Sequence, residues 1–271
     1  MKKPLMLRLL LALAFTFWLS ACSDDDKAVT PTPTTFVVVH GAWQAPFAWQ
    51  FVKKQLEDQG QKVVLVELPG HGADQTDPNT LTLNKYRDKV VAAINPLPGN
   101  VVLVGHSLAG MVISVVAEQI PNRIDKMVYI GAFLPANGQS LLDLANTDST
   151  SQLSANIIPP IAPPTLGIPT PNLAGLFLQD GSAAVQQLLV TNYRPEPTLP
   201  FLDPAVLTAA NFGKVNKYYI HTLQDHVVGY NLQRRMVRAA GVSHTYQLNS
   251  SHCPFLAIPD QVTSTLMTIA K

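Results

Sequence analysis

The sequence predicts an α/β fold with a doubly wound, mostly parallel sheet, and three observations carry that reading. Short apolar runs alternate with helical segments from Phe36 to the C-terminus, which is the rhythm of βαβ units. Runs such as Phe36–Val39 and Val101–Val104 are apolar at every position, as strands are when helices cover both faces of a parallel sheet. Val101–Val104 then leads into Leu108–Ile120, apolar nearly all round, as in a helix packed deep inside a domain.

The elements follow in order. Phe36–Val39 is a strand, and the His40-Gly41-Ala42-Trp43 turn follows it; a glycine there lets the chain turn and a partner come close. Trp49–Gln59 reads as a helix with Gly60 as its C-cap. Lys62–Leu68 is the next strand, then a Pro69-Gly70-His71-Gly72 turn and a polar loop to Asn79. Tyr86–Ile94 looks helical, stopped by Pro96 and Pro98. After the central strand and helix, Lys126–Ile130 is a strand ending in Gly131. From Phe133 to about Asn211 proline is dense, and only short helical patches such as Ala183–Val190 appear. Roughly eighty residues exceed any ordinary connection, so residues 133–211 are expected to form a lid inserted over the site. Alternation then returns: strand Val215–His221, helix Asn231–Ala240 capped by Gly241, strand Ser243–Leu248, and a last helix opened by Asp260. No internal repeat is visible.

Composition narrows the function classes. Charged residues make up 14% and hydrophobic ones 47%, which excludes a largely disordered chain. The net charge is +1 without a basic stripe, so nucleic acid is not an expected partner. No Cys/His cluster has metal-ligand spacing, and neither a metal nor another cofactor is expected.

The N-terminus carries an export pattern. Lys2 and Lys3 precede Leu9–Leu19, apolar apart from Thr16; that stretch is too short to span a bilayer and suits a signal h-region. Leu19-Ser20-Ala21-Cys22 resembles the lipobox of bacterial lipoproteins. The resemblance implies removal of residues 1–21 and a diacylglycerol thioether on Cys22. It implies anchoring to a bacterial membrane, with Ser23 after the cysteine favouring the Gram-negative outer membrane. Without Lys2, Lys3 and Arg8 the mature chain holds 16 basic against 18 acidic residues, a net charge of −2. Residues 22–35 are polar and Pro/Thr-rich, a composition expected of a disordered tether, and the folded domain is expected over 36–271. Lipidation of Cys22 would leave Cys253 without a disulfide partner.

The chemistry centres on Gly105-His106-Ser107-Leu108-Ala109-Gly110. A strand reversing sharply into a helix needs small residues at the crossing and holds its apex in strained geometry, side chain outward. That apex is Ser107. Its place at a helix N-terminus sets free N–H groups and the positive dipole end beside any anion formed there. A serine that merely caps a buried helix would also satisfy the hexapeptide. A nucleophilic serine needs a base, and the base an orienting acid. Both belong in loops at the C-terminal ends of strands, where an open sheet forms its crevice. Asp225 follows one late strand and His252 the other, giving the chain order Ser, Asp, His. His244 lies inside a strand, His226 adjoins Asp225, and His221 ends a strand, so these fit worse; Asp180 and Asp203 in the insertion are weaker candidates for the orienting acid. The two oxyanion donors fall to the backbone N–H groups of Leu108 and Ala42. His40 and His71 read as residues that shape turns.

These pieces resemble one family. Phe36–Trp43, Gly105–Gly110, Phe177–Gly181, Tyr193–Pro195, the Gln224-Asp225 turn and Ser251-His252 are similar to the α/β-hydrolase superfamily. Within it they resemble the plant methylesterase and hydroxynitrile lyase group and its bacterial carboxylesterase relatives. The likeness covers residues 36–271 and implies an α/β-hydrolase fold. It implies Ser107 as nucleophile, His252 as base, Asp225 as orienting acid, and Ala42 and Leu108 as oxyanion donors. Ala109 stands where the family usually has Gly, which bears on helix placement. The lyases of the group tend to carry Thr after the first-strand His and Lys after the catalytic His; here those positions are Gly41 and Cys253. Ester hydrolysis is therefore expected, on small or aromatic esters if Leu173, Leu176, Phe177, Leu178 and Phe201 line an apolar pocket. The alternatives are a hydroxynitrile lyase, amidase or carbon–carbon hydrolase on the same residues. From another class, a non-catalytic, ligand-binding surface lipoprotein remains.

Overall fold

The computed structural model describes residues 33–158 and 164–271. The signal segment, Cys22 and most of the tether lie outside those residues. The tether's expected end is corrected at its last position. β1 spans Thr35–Val39, and Thr35 is buried and paired with Lys62, so the strand takes in one residue assigned to the tether.

The first half builds the site's foundation. After β1 come α1 (Gln50–Asp58), β2 (Lys62–Val66), α2 (Leu83–Ile94), β3 (Val101–His106), α3 (Ala109–Gln119) and β4 (Ile124–Ile130). α2 starts three residues before the expected Tyr86. The Thr82 hydroxyl accepts the Lys85 N–H there, an N-cap that periodicity does not show.

The insertion contains α4 (Leu141–Ala145), β5 (Thr165–Leu166), α5 (Thr170–Phe177), α6 (Ala183–Thr191), β6 (Glu196–Pro197) and α7 (Leu199–Leu202). Its two short strands pair antiparallel with each other, apart from the main sheet. The chain then closes with β7 (Asn216–Thr222), α8 (Tyr230–Ala239), β8 (His244–Leu248), α9 (Pro254–Ala257) and α10 (Pro259–Ala270).

Six parallel strands run in the order β2-β1-β3-β4-β7-β8. β1 and β3 are buried along their whole length, whereas the edge strands β2 and β8 are partly exposed. That explains why the central strands read as continuous apolar runs. α1 packs against α10 and α2 against α3. The chain starts at β1, steps outward to β2, then returns to β3 on β1's other side. Neighbouring strands β1 and β3 therefore send their chains in opposite directions, and a crevice opens outside their C-terminal ends. Their register, Val39 opposite Gly105, places the His40–Trp43 turn beside Ser107.

Close backbone approach fixes the elbow. A methyl on Gly105 would meet the Ala109 carbonyl oxygen at 2.8 Å, and one on Gly110 the Phe133 carbonyl oxygen at 2.0 Å. α3 thus presses on β3 through the Ala109 backbone and on the Phe133 backbone at Gly110, and the Ala109 methyl is accommodated, fully buried. Gly110→Ala should cost about 1–3 kcal/mol of unfolding free energy by overpacking against backbone. Gly175→Ala, in α5 with nothing within 4 Å of its added carbon, should instead gain up to about 1 kcal/mol from helix propensity. Urea unfolding of the two variants checks the contrast.

Candidate active site

Ser107 sits between β3 and α3 with φ 54°, a left-handed backbone that a non-glycine residue holds only when its surroundings fix it. Its carbonyl accepts the N–H groups of Gly110 and Phe133 at 3.0 and 3.1 Å. The preceding residue ties the elbow to a distant loop. His106 Nε2 donates to the His252 carbonyl at 2.8 Å, and the two rings lie 4.4 Å apart. Burial, with the neighbouring His252, holds the His106 pKa well below its usual value, so its ring is a neutral spacer.

Asp225 is the most heavily held side chain nearby. Its Oδ1 accepts the N–H groups of Val227 and Val228, both at 2.8 Å. Its Oδ2 accepts from Thr222 Oγ1 at 2.7 Å, Gln233 Nε2 at 3.3 Å and His252 Nδ1 at 2.8 Å. These five donors fix the direction in which the carboxylate points. Because Nδ1–H points at Asp225, His252 Nε2 keeps its lone pair, the form a general base needs. Gly131, at the end of β4 with φ 48°, makes room: a methyl there would stand 2.6 Å from Thr222 Oγ1.

The expected acid and base are therefore joined. Among the described residues, no hydrogen bond joins the Ser107 hydroxyl to His252. All three side chains are buried, and nucleophile–base contacts are often loose without substrate. Ala42, Trp43, Ser107 and Leu108 line one small apolar cavity with Phe133, Leu141, Leu153, Phe201 and Val227. Its volume of about 10 Å³ has room for one water at most. Of the five apolar residues expected at the pocket, Phe201 lines this cavity; Leu173, Leu176, Phe177 and Leu178 are buried around it, with the Phe177 ring 5.7 Å from that of His252. The carboxylates of Asp180 and Asp203 accept the backbone N–H groups of Ser251 and Leu83.

The histidines outside this group resolve cleanly. His40 donates from Nδ1 to the Gly41 carbonyl and accepts the Leu68 N–H at Nε2, 3.1 Å away; burial lowers its pKa to about 3, so it shapes the turn as a neutral ring. Cys253 is fully buried and takes the Gln44 Nε2–H at 3.0 Å. Burial pushes its thiol pKa well up, which removes it as a nucleophile. Among the described residues, no group of His, Cys, Asp and Glu could hold a metal ion.

Residues 36–265 match the alpha/beta hydrolase family. The chain belongs to that family. It is 30% identical over 249 residues to a chloroplastic methylesterase-type protein of Arabidopsis thaliana, methylesterase 14, covering 87% of this chain and 72% of that one. Methylesterase 17 of the same plant is 28% identical over 243 residues, covering 84% and 88%. A pyrethroid hydrolase from Sphingobium faniae JZ-2 superposes with a TM-score of 0.79 at 22% identity, covering 88% of this chain and 98% of that one. At that identity the structural likeness bears on the fold, and it agrees with the parallel six-stranded sheet.

Sequence reasoning missed Thr222, Gln233 and Glu196. Gln233 lies on α8, fully buried, and also donates to the Thr222 hydroxyl and the Val228 carbonyl while accepting the Thr222 N–H. Its only sequence signal was a polar residue on a helix face otherwise carrying Leu232, Met236 and Val237. Gln233→Leu should lower unfolding free energy by about 1–3 kcal/mol by stranding buried donors and acceptors, measurable by chemical denaturation.

Proposed function

We propose that this alpha/beta hydrolase is a serine carboxylesterase acting on small or aromatic esters. The observation that carries the reading is the 2.8 Å bond from His252 to a five-donor Asp225, behind an elbow serine at left-handed φ. In this reading Ser107 attacks the ester carbonyl while His252 takes its proton, then returns it to the leaving alcohol. Water activated by the same ring hydrolyses the acyl-enzyme. The N–H groups of Ala42 and Leu108 receive the developing oxyanion. Both residues line the cavity, and neither N–H is spent on another hydrogen bond among the described residues. The relatives named methylesterases support ester chemistry.

Two positions speak against a lyase. A side-chain carbon on residue 41 would stand 2.6 Å from His106 Nδ1 and 2.9 Å from Ser107 Cβ, so the lyases' Thr has no room here. The buried, neutral Cys253 thiol supplies no cation for a departing cyanide.

Wild type should hydrolyse p-nitrophenyl acetate and take up a fluorophosphonate label on Ser107. Ser107→Ala should lose both, and Asp225→Asn should lower kcat by roughly 10⁴. Equal turnover by wild type and Ser107→Ala would sink the mechanism.

We infer further that Cys22 carries a lipid that anchors the enzyme to a bacterial membrane, the outer one in a Gram-negative cell. The support is the Leu19–Cys22 pattern after an apolar stretch. The full chain should take up radiolabelled palmitate and enter the detergent phase, and Cys22→Ser should do neither.

A further inference from the structure

We propose that Glu196 is a positioning residue for the oxyanion turn, a carboxylate from the insertion that clasps the Trp43 backbone N–H and is itself held by His71. The inference rests on the esterase reading and extends it to a residue outside the serine, histidine and aspartate group.

Glu196 has no exposed surface. Its Oε2 accepts the Trp43 N–H at 2.7 Å and faces His71 Nε2 at 2.8 Å. Trp43 has φ 58°, the second non-glycine residue in left-handed geometry, and such a conformation lasts only where neighbours fix it. Fixing that N–H fixes the peptide plane between Ala42 and Trp43, and with it the conformation of Ala42, whose own N–H is the candidate oxyanion donor. The Trp43 side chain is fastened to the same insertion: its Nε1–H donates to the Leu166 carbonyl at 2.9 Å, and its ring packs on Phe177 and Phe201. Arg194, two residues before Glu196, donates to the carbonyls of Gly72 and Asp74. The insertion thus grips the turn after β1 and the turn after β2.

His71 completes the clasp. Its Nδ1 faces the Pro69 carbonyl at 3.0 Å while Nε2 faces Glu196. A ring with acceptors at both nitrogens satisfies both only as the imidazolium, which also neutralises a carboxylate removed from water. The other groups around it are the neutral His40 ring at 4.9 Å, the Tyr86 ring at 5.7 Å and the Arg194 charge. Glu67 and Asp74, on the same turn, spend their carboxylates on backbone N–H groups of Gly70, Ala73, Asp74 and Thr76. Although burial opposes its charge, Glu196 raises the His71 pKa above 6.5. The pair's contribution to stability is therefore complete below that value and lost as pH rises through the raised one.

The test is steady-state turnover of p-nitrophenyl acetate by Glu196→Ala and Glu196→Gln. Glu196→Ala should lower kcat about tenfold to a hundredfold, part of what losing one oxyanion donor costs, with KM shifted by less than about threefold. Glu196→Gln keeps an oxygen for the Trp43 N–H and should recover most of kcat. Its melting temperature should also lose the decline expected of wild type as pH rises from 6.5 through the raised His71 value. If Glu196→Ala does not fold, Glu196→Asp, which withdraws the carboxylate by one methylene, should show the same kcat loss. A folded Glu196→Ala or Glu196→Asp with wild-type kcat overturns the proposal, as does a change confined to KM. A wild type with neither turnover nor fluorophosphonate labelling overturns the esterase reading, and this inference with it.

Discussion

Close backbone contact at the switch point of the sheet is the constraint on which the rest depends. β1 and β3 lie in register and send their chains apart, so the ends of both strands open onto one crevice. α3 can begin there only because Gly105 and Gly110 carry no side chain where the Ala109 and Phe133 carbonyls pass. The Ser107 backbone pays for this with left-handed geometry, and packing against β4 holds it. Everything chemical in the structure is placed relative to that serine.

The late strands then deliver the other groups. β7 and β8 are neighbours, with Thr222 opposite Leu248, so the loops after them emerge side by side. Asp225 is oriented by a local turn, by Thr222 and by Gln233 from α8, and it in turn orients His252. His106, one residue before the serine, reaches across to the His252 carbonyl. Three segments distant in the chain are thus tied by hydrogen bonds in a buried site, where each bond is stronger than in water and each missing partner costlier.

The insertion does more than cover the site. It supplies Phe201 to the cavity and Glu196 to the His40–Trp43 turn, and its apolar residues join the main core. Residues 33–271 consequently form one compact unit. A carboxylate without exposed surface, facing an imidazole with acceptors at both nitrogens, is an expensive arrangement to bury. Its place beside the strained Trp43 gives it a physical role.

Much of this was legible in the residues themselves. Continuous apolar runs marked the buried strands because helices cover both sheet faces, and small residues marked the elbow because only they permit the crossing. The order Ser107, Asp225, His252 was readable because α/β sheets present their loops at one rim. Helix starts such as Leu83 were not, since a side-chain cap leaves no periodic trace. The pocket lining was legible only in part, because apolarity alone does not say whether a residue of the insertion faces the site or the core. Glu196, Thr222 and Gln233 were invisible for a related reason: each acts through a partner far off in the chain or on another element. Local pattern by itself determined the strands, the elbow and the candidate reactive groups. Only tertiary packing decided which carboxylate meets which N–H, because hydrogen-bond partners are set by distance in space and not by separation along the chain.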